Sequence, residues 1–298
     1  MGSSSKEISN LMQHQQTNAL IVRAGKINRE VMTASPYLKV IVKHGVGYDN
    51  IEIDTATELG IPVLYTPQAN FESVAEHTLA FIFSLTKKIN LLDKEMKSDK
   101  TWPKSKYVLE ELQHKCIGLI GMGRIGLRVI QLLSPLEMQI LVYDPFISKD
   151  VLPPVVKKVD TVKELVQKAD IVSIHCPLTK ETFYLLGEEE LRQMKPNAYL
   201  INTARGGIVN EDALIKILER GLIAGAALDT FSQEPLSPDS PLLKLDNVIV
   251  TPHVAGTAKE SFIRMGLTAV KLAFQVLEGK EEEISAENFI NYEVLKKK

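Results

Sequence analysis

Residues Cys116 to Asp144 read C-I-G-L-I-G-M-G-R-I-G-L-R-V-I-Q-L-L-S-P-L-E-M-Q-I-L-V-Y-D. An apolar strand runs into Gly121-x-Gly123-x-x-Gly126, an apolar helical run follows, and a second strand, Ile140 to Tyr143, ends on Asp144. This is the pattern of a dinucleotide-binding βαβ unit. Gly121 allows the tight turn off the strand, Gly123 lets backbone approach a diphosphate, and Gly126 lets the helix pack on the sheet. With Arg124 and Ile125 the loop opens a helix whose N-terminal N–H groups and partial positive charge suit phosphate oxygens. Asp144 stands 18 residues past Gly126. Its carboxylate can accept from ribose hydroxyls and would repel a 2′-phosphate, which points to NAD rather than NADP.

Working outward, short β-rich runs alternate with helical patterns along the whole chain. That is the signature of α/β architecture with parallel sheets covered on both faces. Three strands are predicted before the glycine loop: Ala19 to Arg23, Val40 to His44 and Pro62 to Tyr65. After it come Ile140 to Tyr143, Ile171 to His175, Ala198 to Asn202, Gly225 to Leu228 and Val248 to Thr251. Ser73 to Leu92 reads as one long buried helix at a domain or subunit boundary. Asn210 caps a helix with acids in its first turn, and Gly221 ends it. The expected organisation is a cofactor domain over residues 69–264 and a smaller substrate domain from 1–68 plus 265–298, with the chemistry in the cleft between them.

Composition narrows the class further. The 298 residues are 45% hydrophobic and 24% charged, with a formal net charge of −2, so nucleic acid is not an expected partner. No apolar run reaches the length of a membrane span. Met1 to Ser5 lacks the apolar core of a signal peptide and reads as an expression scar, so a cytoplasmic location is expected. Cys116 and Cys176 sit in apolar strand contexts, and no Cys/His cluster has metal spacing, so neither a disulfide nor a metal is expected.

Ligands in such sheets bind beyond the carboxyl ends of the strands. Arg205, Glu234 and His253 each follow a strand, in N-T-A-R-G-G-I-V-N-E, G-A-A-L-D-T-F-S-Q-E-P and T-P-H-V-A-G. Asp229 ends the strand before Glu234. Hydride exchange between a carbinol carbon and nicotinamide needs a matched proton transfer at oxygen, which histidine performs near neutral pH. A carboxylate beside it fixes the tautomer and favours the protonated ring. A guanidinium grips a substrate carboxylate and polarises the adjacent carbonyl. Val46 and Gly47, in Gly45-Val46-Gly47, offer backbone N–H groups to the same carboxylate. Taken singly, each of these side chains has an ordinary structural explanation. Their placement on successive strand ends is what makes them a set. His14, His77 and His114 lack such placement and read as structural or surface residues, and His44 as a candidate cleft residue.

The chain resembles the D-isomer-specific 2-hydroxyacid dehydrogenases, from about Leu20 to about Arg264. The resemblance is carried by G-V-G-Y-D-N-I, S-V-A-E-H, G-M-G-R-I-G, H-C-P-L-T and the three strand-end motifs above. It implies a Rossmann cofactor domain, a smaller flavodoxin-like substrate domain, bound NAD, a small 2-hydroxyacid or 2-keto acid as substrate, and a homodimer. By motif position it implies that Arg205 binds substrate, that Glu234 pairs with the acid/base His253, and that Asp229 holds the nicotinamide carboxamide. Cys176 and Pro177 would line the adenine pocket, Thr203 and Ala204 would flank the nicotinamide ribose, and Gly256 would complete the cofactor site. Within the family the chain looks most like the phosphoglycerate dehydrogenases, with Arg23 and Lys43 at strand ends where a distal phosphate would be held. Family phosphoglycerate enzymes often carry arginine at the second of these positions. Glyoxylate or hydroxypyruvate reduction is the alternative, and an NAD-sensing corepressor-like binding protein the alternative of another class. Family members usually begin with a further β-α-β segment, so a truncated small domain of three parallel strands is expected.

Overall fold

The computed structural model describes residues 4–297. The chain divides into two compact units: Glu72–Gly256, and Met1–Phe71 joined by Thr257–Lys298.

The larger unit is a seven-stranded, wholly parallel sheet. Its strands are β4 (Cys116–Ile120), β5 (Gln139–Tyr143), β6 (Val156–Lys158), β7 (Ile171–Ile174), β8 (Tyr199–Asn202), β9 (Gly225–Leu228) and β10 (Val248–Val250). The spatial order is β10-β9-β8-β7-β4-β5-β6. Counted from the first strand of the unit this is the Rossmann order, with the direction of winding reversing between β4 and β7. Alternate residues of each strand feed opposite faces. Ile120, Val172, Leu200 and Ala226 pack one face against the helices Val162–Lys168 and Glu211–Glu219. Ile117, Leu119, Val142 and Ile201 pack the other against Phe71–Thr86 and Arg124–Leu133. The switch is therefore sandwiched, and only the strand ends remain open for chemistry.

The smaller unit has three parallel strands, β1 (Ala19–Val22), β2 (Val40–Lys43) and β3 (Val63–Tyr65), in sequential order. Ile41 and Val63 face the helices that precede and join the strands, while Val40, Val42 and Leu64 face helix Lys259–Leu277.

Two elements differ from expectation. The run Ser73 to Leu92 is not one helix: Phe71–Thr86 ends, Lys88 turns left-handed at φ 50°, and Ile89–Lys94 starts anew. The Thr86 carbonyl accepts instead from Glu110 N–H at 3.0 Å, and the Lys87 ammonium reaches Glu110 O at 2.5 Å. A returning segment thus ends the helix where its apolar pattern gives way to two lysines. The second helix has no buried residue, so only the first half is core. The strand β6 was not foreseen. Val-Lys-Lys carries no strand pattern of its own and is a strand only because β5 pairs with it.

Candidate active site

The glycine loop leaves β4 at Gly121, whose φ of +97° belongs to the left-handed half of conformational space. A Cβ there would meet Cys176 N at 2.7 Å, so the loop lies against the backbone after β7. A Cβ on Gly126 would meet Gly121 O at 2.5 Å, which is the close packing of helix on turn. Gly123 is different. It is the N-cap of helix Arg124–Leu133, supplies no capping side chain, and has no protein atom within 4 Å of where a Cβ would stand. No protein contact requires glycine at 123, and its absence of a side chain leaves the backbone open to close approach. Asp144 closes this end. Its Oδ2 accepts Met122 N–H and its Oδ1 accepts Phe146 N–H, each at 2.9 Å, so the carboxylate is aimed by the loop it serves. Cys176 is half-buried and Pro177 exposed beside it; burial pushes the Cys176 thiol up to about 11, which favours the neutral thiol.

Arg205, Glu234 and His253 stand beyond β8, β9 and β10. Asn202 sets the first turn, accepting Ala204 N–H at 3.0 Å and donating to Arg205 O at 2.8 Å. Thr203 is buried and its hydroxyl meets that of Thr78 at 3.2 Å. The next residue, Gly206, lies so close to the following loop that a Cβ would stand 1.9 Å from Phe231 C. That contact brings the arginine loop against the loop of Glu234. Glu234 Oε1 accepts Phe231 N–H at 3.1 Å, and Oε2 lies 2.7 Å from His253 Nδ1. Burial would push the Glu234 carboxyl up, but the His253 bond and charge, Phe231 N–H and the Arg205 charge outweigh it. The carboxyl is held below its ordinary range. The pairing leaves His253 Nε2 as the atom able to exchange a proton with a bound molecule.

His253 itself is left-handed, at φ 53°, a conformation that costs about 1–2 kcal/mol for a residue with a side chain. The loop is held by Asp229, which is fully buried. Its Oδ1 accepts the Thr251 hydroxyl at 2.5 Å and Val254 N–H at 2.8 Å, and Oδ2 accepts Ala255 N–H at 2.8 Å. Gly256 follows, half-buried.

The remaining candidates belong to the smaller unit. Lys43 is buried, and its ammonium donates to Arg23 O and Asn50 Oδ1, both at 2.7 Å. Arg23 is exposed, its guanidinium 4.6 Å from the centre of the Phe262 ring. Val46 and Gly47 are half-buried; the preceding Gly45 N–H is taken by the Thr66 hydroxyl at 3.0 Å. Among the described residues no group of three or more His, Cys, Asp and Glu side chains is arranged to hold a metal, and both cysteines are free.

Sequence reasoning passed over Asn202, Thr251 and His77. The first two are polar residues at strand ends, where such a residue is as often a turn former as a ligand. His77 sits on the apolar helix Phe71–Thr86, and only the fold brings its Nε2 to 3.2 Å from the Thr251 hydroxyl.

The groups above suit a nicotinamide dinucleotide: an open N-cap at the glycine loop, an aimed carboxylate at the end of β5, and a carboxylate-paired histidine at the far strand ends. Residues 79–255 match the model of the D-isomer specific 2-hydroxyacid dehydrogenase NAD-binding domain. A glyoxylate reductase of Thermofilum pendens is 45% identical over 282 residues, covering 93% of this chain and 82% of that protein. A D-3-phosphoglycerate dehydrogenase of Archaeoglobus fulgidus is 42% identical over 250 residues, covering 84% of this chain and 47% of that protein. The chain thus spans about half the length of that relative. Among solved structures, a D-lactate dehydrogenase from Aquifex aeolicus complexed with NAD and lactic acid superposes with a TM-score of 0.87. The two are 32% identical, with 97% of this chain and 90% of that one covered.

Proposed function

This chain belongs to the D-isomer-specific 2-hydroxyacid dehydrogenases, NAD-dependent enzymes, and on that premise we propose that it reduces a short 2-keto acid to the D-2-hydroxyacid. The observation that carries the reading is the 2.7 Å pairing of His253 with Glu234, on loops packed against that of Arg205. When bound, reduced nicotinamide supplies the hydride. Gly121, Gly123, Gly126 and Asp144 hold the dinucleotide, with Asp144 excluding a 2′-phosphate. Arg205 takes the substrate carboxylate and draws electron density from the adjacent carbonyl. His253 gives the proton from Nε2 to the carbonyl oxygen as it becomes a hydroxyl. Glu234 keeps the proton of Nδ1 on its own side and stabilises the charged ring before the transfer. Asp229 orients the His253 loop.

Glyoxylate and hydroxypyruvate are the favoured substrates. The Lys43 ammonium is committed inside its own unit, which removes one of the two cations a distal phosphate would need. Phosphohydroxypyruvate is the second reading, supported by the exposed Arg23 and the similarity to phosphoglycerate dehydrogenases. The chain is proposed to work as a homodimer. The deciding experiment follows NADH absorbance with glyoxylate, hydroxypyruvate and phosphohydroxypyruvate, for the parent and for Arg205→Ala. Turnover of the unphosphorylated acids, abolished in the variant, is expected. No turnover of any 2-keto acid, together with NADH-dependent capture of peptides, would replace the enzyme by a cofactor-sensing binding protein.

A further inference from the structure

The loop that carries His253 is anchored from a direction no strand-end motif announces. Helix Phe71–Thr86 turns His77 inward, and the ring packs edge-on against Phe81, one turn on, with centroids 4.4 Å apart. Its Nε2 then lies 3.2 Å from Thr251 Oγ1 and 4.0 Å from Asp229 Oδ1. The single hydroxyl proton of Thr251 is committed to Asp229 at 2.5 Å. A carboxylate cannot donate it back. Thr251 Oγ1 therefore meets His77 as an acceptor, and the His77 proton resides on Nε2. The result is a directed chain: His77 N–H to the Thr251 hydroxyl, and that hydroxyl to the Asp229 carboxylate. Bonds in such a chain polarise one another in a dry setting, and Asp229 is fully buried. Burial also lowers the His77 pKa against the pull of Asp229, which suits a neutral ring in this role.

We propose that His77 is a positioning residue for His253, acting through Thr251 and Asp229. The chain ends on the group that gathers Val254 N–H, Ala255 N–H and the Thr251 side chain around a left-handed His253. Loosening its far end frees the loop to relax toward ordinary backbone angles and draws the imidazole from Glu234. The inference rests on the functional reading above, since only an acid/base role makes the placement of His253 matter for rate.

The test compares His77→Leu, His77→Gln, Thr251→Val and the Leu/Val double variant. Glutamine keeps an N–H donor within reach of Thr251; leucine fills the space without one. The expected result is a fall in kcat of about tenfold for His77→Leu and for Thr251→Val. KM for the keto acid should stay within about twofold, and the double variant should be no worse than the singles. His77→Gln recovers to within about threefold of the parent. Nitrogen NMR of labelled histidine on the cofactor-free chain gives a readout independent of turnover. The His253 signals shift or broaden in the leucine and valine variants and return in the glutamine variant. Equal losses for leucine and glutamine, multiplicative losses in the double variant, or His253 signals unmoved by any substitution would overturn the proposal. A parent inactive on every keto acid would remove the reaction assigned above, and the NMR result would then decide the His77 relay by itself.

Discussion

The glycine loop after β4 and the proposed catalytic loops after β8, β9 and β10 occupy the same edge of one sheet, yet they are built by opposite means. The glycine loop is shaped by exclusion: two positions where a side chain would strike backbone, and one where it would fill space. The proposed catalytic edge is shaped by attraction: Asn202 ties its own turn, while Glu234 and Asp229 draw in His253, Thr251, Val254 and Ala255 from a loop distant in sequence. The excluded side announces itself in the spacing of its glycines. Sites made by attraction depend on partners that only folding brings near.

The largest effect should fall on the attracted side. His253→Ala should lower kcat by about a hundred- to ten-thousand-fold, the usual contribution of a positioned acid/base. NADH affinity, measured by fluorescence quenching, should barely change. A parallel loss of cofactor binding would mean that the two regions are not separable.

Next is the point where the two building principles meet. Gly206 is a steric requirement inside the catalytic edge, with Phe231 C 1.9 Å from a would-be Cβ. Gly206→Ala should cost about 3 kcal/mol in denaturant unfolding, since backbone must move, and activity should fall with it. An unchanged midpoint would show that the loops merely touch.

His175 sharpens the comparison from beneath the glycine loop. Burial pushes its ring down to about 3, and Nε2 meets the Ser173 hydroxyl at 2.9 Å. The unfolded ring protonates near pH 6.5, while the folded ring resists down to about 3. Stability is therefore complete above about pH 6.5 and lost as pH falls from there toward 3. At pH 5 the loss is about 2 kcal/mol relative to pH 7. Urea midpoints at the two pH values should differ by less in His175→Gln. Equal slopes would show that the ring titrates normally.

The smallest effect separates the glycines themselves. Gly123→Ala meets no protein atom, so the melting temperature should hold while the NADH Kd rises about tenfold, or about 1.4 kcal/mol. Gly126→Ala meets Gly121 O and should lower the melting temperature first. Identical behaviour of the two would undo the distinction between a ligand-driven and a packing-driven glycine.

The same contrast explains what was legible beforehand. Eight of the ten strands show as apolar runs between turn signals at nearly their observed bounds, and β4 was marked by the glycine loop itself. Asn210 caps its helix as its residue type suggests, accepting Ala213 N–H. The three strand-end side chains were visible as a set because each follows an apolar run. Residues whose role depends on a distant partner were not. Lys43 reads as a strand-end cation, but the Gly25 turn lies beside it; Asn50, which donates to Gly25 O, accepts its ammonium. His77 reads as one polar residue on an apolar helix face. The break at Lys88 depends on Glu110, more than twenty residues away.

The wholly parallel sheet has a consequence for how the larger unit forms. No neighbouring pair in it is a hairpin, and the central β4–β7 ladder joins Cys116–Ile120 to Ile171–Ile174 across a long intervening stretch. Each pairing must first close a large loop before any ladder rewards it, a topology that folds slowly. Once formed, β4 is bonded on both edges and covered on both faces. Its amides should be among the last in the unit to exchange with heavy water. The loop that must admit a ligand thus hangs from one of the most persistent strands of the sheet.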